Sequence, residues 1–286
     1  MLNSLNYLNI VGYALNLLIT FAASPLFGFP DNAELSDRYQ TIVTPSGGTF
    51  AIWGVVFIAQ AVFAIAQMLE QYRGEKLVQE GVSFWYFTAC MFQCAWTFAF
   101  GYEVLWLSVI FMAGILASLA MIVLSQSKID SEPVKRVLDF WLFKFPFSIH
   151  CGWIAAAFAV NLNAFVVTTE AGAGAQTWWA YLTLVYAILV AAFALLYLSP
   201  PDLTIPSVLV WATIGIVSEL NEAKPEIEET FGEDVVATFR SFTLAICILL
   251  GTVTTGYGAL KVLKGKKSND DVKNYEGSEM ASNVPM

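Results

Sequence analysis

The chain has 286 residues, of which 57% are hydrophobic and 13% are charged, and its formal net charge at pH 7 is −9. Soluble domains carry roughly 25% charged residues, so this composition excludes an ordinary soluble protein. Lipid can solvate this much apolar surface, and the composition therefore indicates a multi-spanning membrane protein. The acidic charge balance argues against nucleic acid as a partner.

Several stretches of the chain reach or approach the roughly 20 apolar residues that a membrane-crossing helix needs. These eight stretches are residues 8–28, 48–69, 82–101, 104–126, 138–166, 177–198, 205–221 and 237–262. We therefore predict an all-α polytopic transmembrane bundle of about eight spans. The link at residues 101–103 is very short, which predicts that the third and fourth spans form an antiparallel hairpin.

The distribution of basic residues supports this count, because cytoplasmic loops of membrane proteins are enriched in lysine and arginine. With eight spans, ten of the fourteen basic residues fall on the side that carries both termini, and three fall on the other side. The remaining one, Lys144, lies within the fifth span. We therefore predict that both termini of this multi-pass protein lie on the cytoplasmic side.

Three segments outside the predicted spans are polar. Residues 30–47 form a long loop on the predicted outer side, and residues 219–234 place seven acidic residues and one lysine on the same side. The acidic run is typical of a solvated loop, with a cation-binding or partner-binding lip as the alternative. Residues 264–286 lack hydrophobic periodicity, which predicts a disordered cytoplasmic tail.

The fifth span contains the stretch FKFPFSIHCGW, which places Lys144, Pro146 and the single histidine of the chain, His150, in an apolar run. Lys144 is expected to extend its ammonium group to the inner membrane interface. Pro146 is expected to bend the helix, because it lacks a backbone N–H. A polar group is costly in lipid, so His150 is expected to face other helices or a cavity.

Four residues of the fifth span share one helix face by their spacing: His150, Trp153, Ala157 and Asn161. An imidazole, an indole, a small gap and an amide on one face can form the wall of a site for a flat ligand. The same groups can instead form a hydrogen-bonded seam, since polar side chains join helices in membranes. The residues alone leave both interpretations open.

The sequence contains no pattern that is typical of an enzyme. The HExxH and GxSxG motifs and a glycine-rich phosphate loop are absent, and no pair of carboxylates lies within a span. Ligation of a haem iron by His150 is an alternative for which no second ligand is evident. We therefore predict a non-enzymatic protein without an assigned cofactor.

Three of the nine tryptophans, Trp53, Trp96 and Trp153, lie deep within predicted spans. They occur in the segments TPSGGTFAIWGVVF (44–57), FQCAWTFAFGYEVLWLSV (92–109) and FPFSIHCGWIAAAFAVNLNAF (145–165). In this order and spacing, the segments resemble the TspO/MBR family, the tryptophan-rich sensory proteins related to the peripheral-type benzodiazepine receptor.

The resemblance covers about residues 1–168 and includes two departures from the family pattern. Gln93 stands where the family usually has asparagine, and the step from Phe50 to Trp53 is one residue shorter than in compact members. Three further spans follow this region. We therefore predict a TspO-like five-helix core with a three-helix C-terminal extension over residues 169–263.

The resemblance implies a pocket in the five-helix bundle that binds a tetrapyrrole, such as a porphyrin or haem, or a sterol-like molecule. The loop at residues 30–47 would cover the mouth of this pocket. The predicted ligand-binding residues come from the family motifs and from the face of the fifth span. They are Phe50, Trp53, Gln93, Trp96, His150, Trp153 and Asn161.

Three functions are compatible with these observations. The first is a membrane receptor, sensor or carrier for a flat hydrophobic ligand. A secondary transporter is the alternative suggested by the eight spans and by Lys144, and a structural subunit of a membrane complex is a third. The lipid bilayer is a partner in every case, and the small residues Gly152 and Ala156 are compatible with a homodimer.

Overall fold

The computed structural model describes residues 2–130 and 135–282, without the side chains of residues 33, 262 and 264–282. Within these residues the regular secondary structure is entirely helical, which confirms the predicted fold class. The α-helices are α1 (Ser4–Phe27), α2 (Asn32–Arg38), α3 (Ile52–Ala66), α4 (Trp85–Gly101), α5 (Leu105–Ser127), α6 (Arg136–Asp139), α7 (Phe145–Thr168), α8 (Ala173–Ala192), α9 (Thr204–Asn221), α10 (Pro225–Phe231) and α11 (Glu233–Ser282).

Seven helical segments of the described residues are long and apolar enough to cross a membrane. The predicted third span, residues 82–101, is the exception, because α4 has only 17 residues. It begins at Trp85 because Ser83, with φ at 50°, interrupts the helical path. The described chain therefore places a helix at each of the eight predicted positions.

Helix α7 lies at the centre of the bundle and packs against α3, α5, α8 and α9. Helices α4 and α5 form the predicted antiparallel hairpin, with α1 on the outer side of α4. Helix α11 packs against α9. Because α7 has neighbours in several directions, most of its side chains are buried, which is the behaviour expected of a helix that is apolar all round.

The path into α7 is irregular beside Pro146, and the bend expected at this proline stays a prediction. Phe140–Lys144 forms a π-helical segment, and Pro146 follows it in the first turn of α7. The helical path is continuous from Arg136 to Thr168, so Pro146 removes one N–H donor from within it, and a π-helical turn is a common irregularity at such a place. The irregular stretch of this span is therefore the π-helical segment that precedes the proline.

Close approach between α7 and α9 depends on Gly152. A Cβ atom at this position would lie 2.9 Å from the Cβ of Val208 and 3.1 Å from the carbonyl oxygen of Ile205. Gly152 and Ala156 were predicted to be compatible with a dimer. In the structure, Gly152 packs against α9 of the same chain. Small residues at such contacts let helix backbones approach closely in membranes.

Two predicted loops contain helices. The segment at residues 30–47 includes α2, and the acidic run at residues 219–234 includes α10. The latter begins with Pro225 and carries Glu226 in its first turn, which are favourable helix-start features. This part of the acidic run is therefore a helix instead of a loop. Its acidic side chains are exposed to solvent as predicted, and its apolar side chains Ile227 and Phe231 are packed in the bundle.

The predicted disordered tail begins at residue 264. The helix α11 continues to Ser282, and residues 283–286 lie outside the described residues. The division into residues 1–168, 169–263 and 264–286 stays a prediction, as does the side of the membrane on which the termini lie.

Substitution of Gly152 by alanine is expected to destabilise the bundle. The added methyl group meets backbone and Cβ atoms of α9, and overpacking of this kind costs roughly 1–3 kcal/mol. The apparent melting temperature in detergent, measured by circular dichroism, should fall below that of the wild type. The control is Gly251→Ala, because a Cβ at Gly251 would meet nothing within 4 Å. Equal melting temperatures for the two variants would contradict the packing described for α7 and α9.

Candidate ligand-binding cavity

A cavity of about 570 Å³ lies within the bundle, between α7 and the helices around it. Its lining residues come from the segment 30–51, from α3, α4, α5, α7, α8 and α9, and from Lys224 in the link between α9 and α10. Ligand sites in proteins typically measure about 300–1,000 Å³ and are mostly apolar. The cavity therefore has the size and the lining of a site for an organic molecule.

Five of the seven predicted ligand-binding residues line this cavity within the described chain. These residues are Phe50, Trp53, Trp96, Trp153 and Asn161. The folding of the chain thus brings together aromatic residues from three helices and from the turn that precedes α3. That these residues bind a ligand stays a prediction.

The aromatic side chains of the wall pack edge to face and hold one another in place. The ring of Trp153 lies 5.7 Å from Phe50 at an interplanar angle of 88°, and 6.2 Å from Trp53 at 85°. Across the cavity, Trp96 stacks on Phe100 with the ring centroids 5.0 Å apart. These arrangements are favourable for aromatic pairs, so the wall has a fixed shape.

Asn161 lines the cavity and also joins three helices. Its Oδ1 accepts a hydrogen bond of 3.1 Å from Trp96 Nε1, and its Nδ2 donates to Ser108 Oγ at 2.9 Å. These bonds connect α7 with α4 and α5, and the first fixes the indole plane of Trp96. The two interpretations from the sequence, a ligand-facing wall and an interhelical seam, therefore coincide at this residue.

His150 is outside the set of described residues that line the cavity, and it lies behind the aromatic wall. Its ring contacts Trp53 edge-on at 5.8 Å, and its Nδ1 is 2.6 Å from Gln60 Nε2. Because Tyr86 donates to the Oε1 of Gln60, the Gln60 amide nitrogen donates to the imidazole. Of the two interpretations from the sequence, the interhelical seam therefore describes His150, because its ring faces α3. That His150 contacts a ligand stays a prediction.

Gln93 is also buried away from the lining residues of the described chain, at 2% exposure. Its backbone oxygen accepts from Thr97, and its side-chain Oε1 has no hydrogen-bond partner among the described residues. Gln93 lies one helical turn before Trp96 in α4, and Trp96 is the member of this pair that lines the cavity. The lining at this level comes from Trp96.

The second half of the chain also lines the cavity, and this contribution was not predicted from the sequence. Helix α8 supplies Leu184 and Tyr186 among others, and α9 supplies Ala212 and Thr213. The cavity is therefore shared between the predicted core and the predicted extension. The only signal for these residues is the apolar pattern of their helices, which does not distinguish a side chain that faces a cavity from one that faces lipid.

The segment at residues 30–47, called the lid segment below, contributes to the cavity lining, and its expected place over the mouth stays a prediction. Leu35 and Asp37 are among its lining residues. Lys224 donates to Asp37 Oδ1 at 2.8 Å, and Gln40 donates to Glu219 at 2.7 Å. The contact between Lys224 and Asp37 raises the pKa of the Lys224 ammonium group. The segment that follows α9 thus ties down the lid segment.

A second tie connects the lid segment with the link between α4 and α5. Glu103 accepts hydrogen bonds of 2.5 Å from Tyr39 and from Arg38. The bond from Tyr39, with a smaller contribution from Arg38, lowers the pKa of the Glu103 carboxyl group, and the same bond raises the pKa of the Tyr39 phenol. Glu103 is thus held as a carboxylate, and the lid segment is tied on two sides.

The arrangement combines an aromatic and alanine-rich interior with charged groups at one end. A flat apolar molecule could bury most of its surface against the indoles and the small residues Ala156 and Ala157, and place a polar end at the mouth. In the described part of the chain, no group of three or more His, Cys, Asp or Glu side chains is arranged to hold a metal ion.

Comparison with known proteins identifies a family that includes most of this helical bundle. A sequence model of the family described as TSPO-like protein matches residues 6–254, so the match extends from α1 into α11 and well beyond residue 168. No curated protein matches the chain, and no solved structure matches it either. With most of its length matched, the chain belongs to the TSPO-like protein family.

Proposed function

We propose that this TSPO-like membrane protein is a receptor, sensor or carrier that binds a flat hydrophobic molecule, such as a tetrapyrrole or a sterol-like compound, in its tryptophan-lined cavity. The observation that carries the proposal is the meeting of Phe50, Trp53, Trp96 and Trp153 around a cavity of about 570 Å³. Indoles bury large flat surfaces at a low cost in side-chain entropy, which suits them to planar ligands.

The proposal includes no catalytic step. The polar groups of the interior are few, and Asn161 is used to join helices. The charged groups among the lining residues, Asp37, Glu219 and Lys224, occur at the mouth. This distribution supports binding by shape and apolar contact, with the charged groups available to the polar end of the ligand.

The secondary-transporter alternative has less support from the structure. It assigned a role in an ion or substrate path to Lys144, and this lysine is outside the set of described residues that line the cavity. The lid segment and its ties are more economically explained by a receptor or carrier that retains its ligand and releases it through the mouth.

Protoporphyrin is expected to quench the tryptophan fluorescence of the purified protein in a saturable way. Trp153→Ala removes a buried indole, 2% exposed, from the cavity wall. The dissociation constant for protoporphyrin should therefore rise about tenfold or more. The control is Trp178→Ala, since Trp178 is 72% exposed and distant from the cavity lining. Quenching that does not saturate, or equal affinities for the two variants, would count against the proposal.

Filling the cavity offers a test that leaves every tryptophan in place. Ala187 lines the cavity from α8 and is buried, so Ala187→Phe should occupy part of the ligand volume and weaken protoporphyrin binding about tenfold. The matched control is Ala117→Phe, which adds the same ring to an exposed position of α5. Melting temperatures near that of the wild type would show that both variants fold. Unchanged affinity in folded Ala187→Phe would place the ligand elsewhere.

Loosening the lid segment should change the rate of ligand release more than the affinity. Lys224→Ala removes the tie to Asp37, and an exposed ion pair of this kind corresponds to a rate change of roughly two- to fivefold. Stopped-flow fluorescence with preloaded protoporphyrin measures the release rate. The exchange of charges in Asp37→Lys/Lys224→Asp should restore slow release, whereas Lys76→Ala, at an exposed site, should leave it unchanged. Equal release from Lys224→Ala and the wild type would exclude this tie as a barrier.

A further inference from the structure

The C-terminal part of α11 carries a cluster of lysines with no acidic residue among them. Residues 261–267 read KVLKGKK, and the next acidic residue is Asp270. The four lysines, called the basic segment below, are Lys261, Lys264, Lys266 and Lys267. Lys261 is exposed, and none of the ion pairs among the described residues includes it. The basic segment therefore concentrates its positive charges in about two helical turns.

Helix packing places the basic segment beyond the first residues of α9. A Cβ atom at Gly258 would lie 3.3 Å from the side chain of Leu203, which directly precedes α9. Helix α11 thus passes the start of α9 at Gly258, and it continues as a helix to Ser282. At a rise of about 1.5 Å per residue, Lys261 lies roughly 5 Å and Lys267 roughly 14 Å further along the helix.

Exposed tyrosine and leucine side chains indicate where this end of the bundle meets the lipid headgroups. Tyr197 precedes the link between α8 and α9 and is 71% exposed. On α11, Leu260 and Leu263 are also exposed, as apolar side chains in contact with lipid are. Tyrosine is enriched at headgroup level, and each headgroup layer is roughly 5–8 Å thick. The basic segment therefore begins at the level of the headgroups and extends through them.

Other basic residues at this end of the bundle lie close to acidic residues. The start of α7 belongs to the same end, because Ser148 donates to Asp202 beside the start of α9. Lys135, just before α7, pairs with Glu75 at 3.4 Å. The other such residues, each with an aspartate or glutamate within three positions, are Lys76, Lys128 and Arg136. Their charges are offset locally, so the attraction of this end for anions is expected to be strongest at the basic segment.

We propose that the basic segment binds the headgroups of anionic phospholipids, such as phosphatidylserine, in the leaflet that surrounds the end of α11. Lysine clusters that directly follow a membrane-crossing helix attract anionic lipids by Coulomb interaction. On the predicted topology this leaflet is the cytoplasmic one, in which such lipids are concentrated. The inference does not depend on the ligand proposed for the cavity.

Polymer-bounded nanodiscs, cut from proteoliposomes that contain the full-length protein, retain the lipids nearest to it. The vesicles are phosphatidylcholine with about 20% phosphatidylserine, an anionic lipid of cytoplasmic leaflets. Mass spectrometry of the discs gives the share of phosphatidylserine around the protein, which should be about twice the bulk share for the wild type. The variant Lys264→Gln/Lys266→Gln/Lys267→Gln should return this share close to the bulk value. High salt should do the same to the wild type, because it screens the attraction.

The matched control is Lys76→Gln/Lys128→Gln/Arg136→Gln, which removes the same amount of charge from exposed positions at the same end and should keep most of the enrichment. Exchange of the lysines at 264, 266 and 267 for arginine keeps the charge and should also keep the enrichment. Melting temperatures near that of the wild type show that the variants fold. A loss confined to the glutamine variant of the basic segment supports the proposal. The absence of enrichment around the wild type, or an equal loss in the matched control, overturns it.

Discussion

Lipid offers no hydrogen bonds to a protein, and this constraint determines how α7 is used. The helix is surrounded by α3, α5, α8 and α9, so each of its faces meets a different neighbour. Its glycine, Gly152, admits the backbone of α9, and its histidine, His150, bonds to Gln60 of α3. One of its two asparagines, Asn161, forms hydrogen bonds with Trp96 of α4 and Ser108 of α5. The aromatic wall can be built only because these contacts fix the rotation of α7.

The polar groups of the bundle fall into two classes with different consequences. Asn6 and Gln67 exchange hydrogen bonds between α1 and the end of α3, and Asn163 donates to Thr183 between α7 and α8. Paired groups of this kind stabilise helix association in membranes, where an unpaired alternative is costly. Trp153 Nε1 is unpaired although it is buried in the same medium. Gln93 Oε1 and His150 Nε2 are unpaired in the same way among the described residues.

The cavity depends on both halves of the chain. The aromatic wall comes from the region that resembles the tryptophan-rich sensory proteins, whereas α8 and α9 close the opposite side. Beyond α9, Lys224 holds the lid segment by its bond to Asp37. A chain that ended at residue 168 would lack those walls and that tie. The family match over residues 6–254 includes these helices, in agreement with their part in the architecture.

The sequence by itself determined the solvent, the helical class and the approximate position of every long helix, because apolar runs of this length are stable in lipid only as helices. It also selected Trp53, Trp96 and Trp153, since deep indoles are poorly explained by an interfacial belt. Only the tertiary structure decided that His150 faces α3 in the interhelical seam and that Tyr186 lines the cavity. Both residues lie in apolar helices with weak amphipathicity, so their direction is set by the packing of neighbouring helices and leaves no periodic signal in the chain.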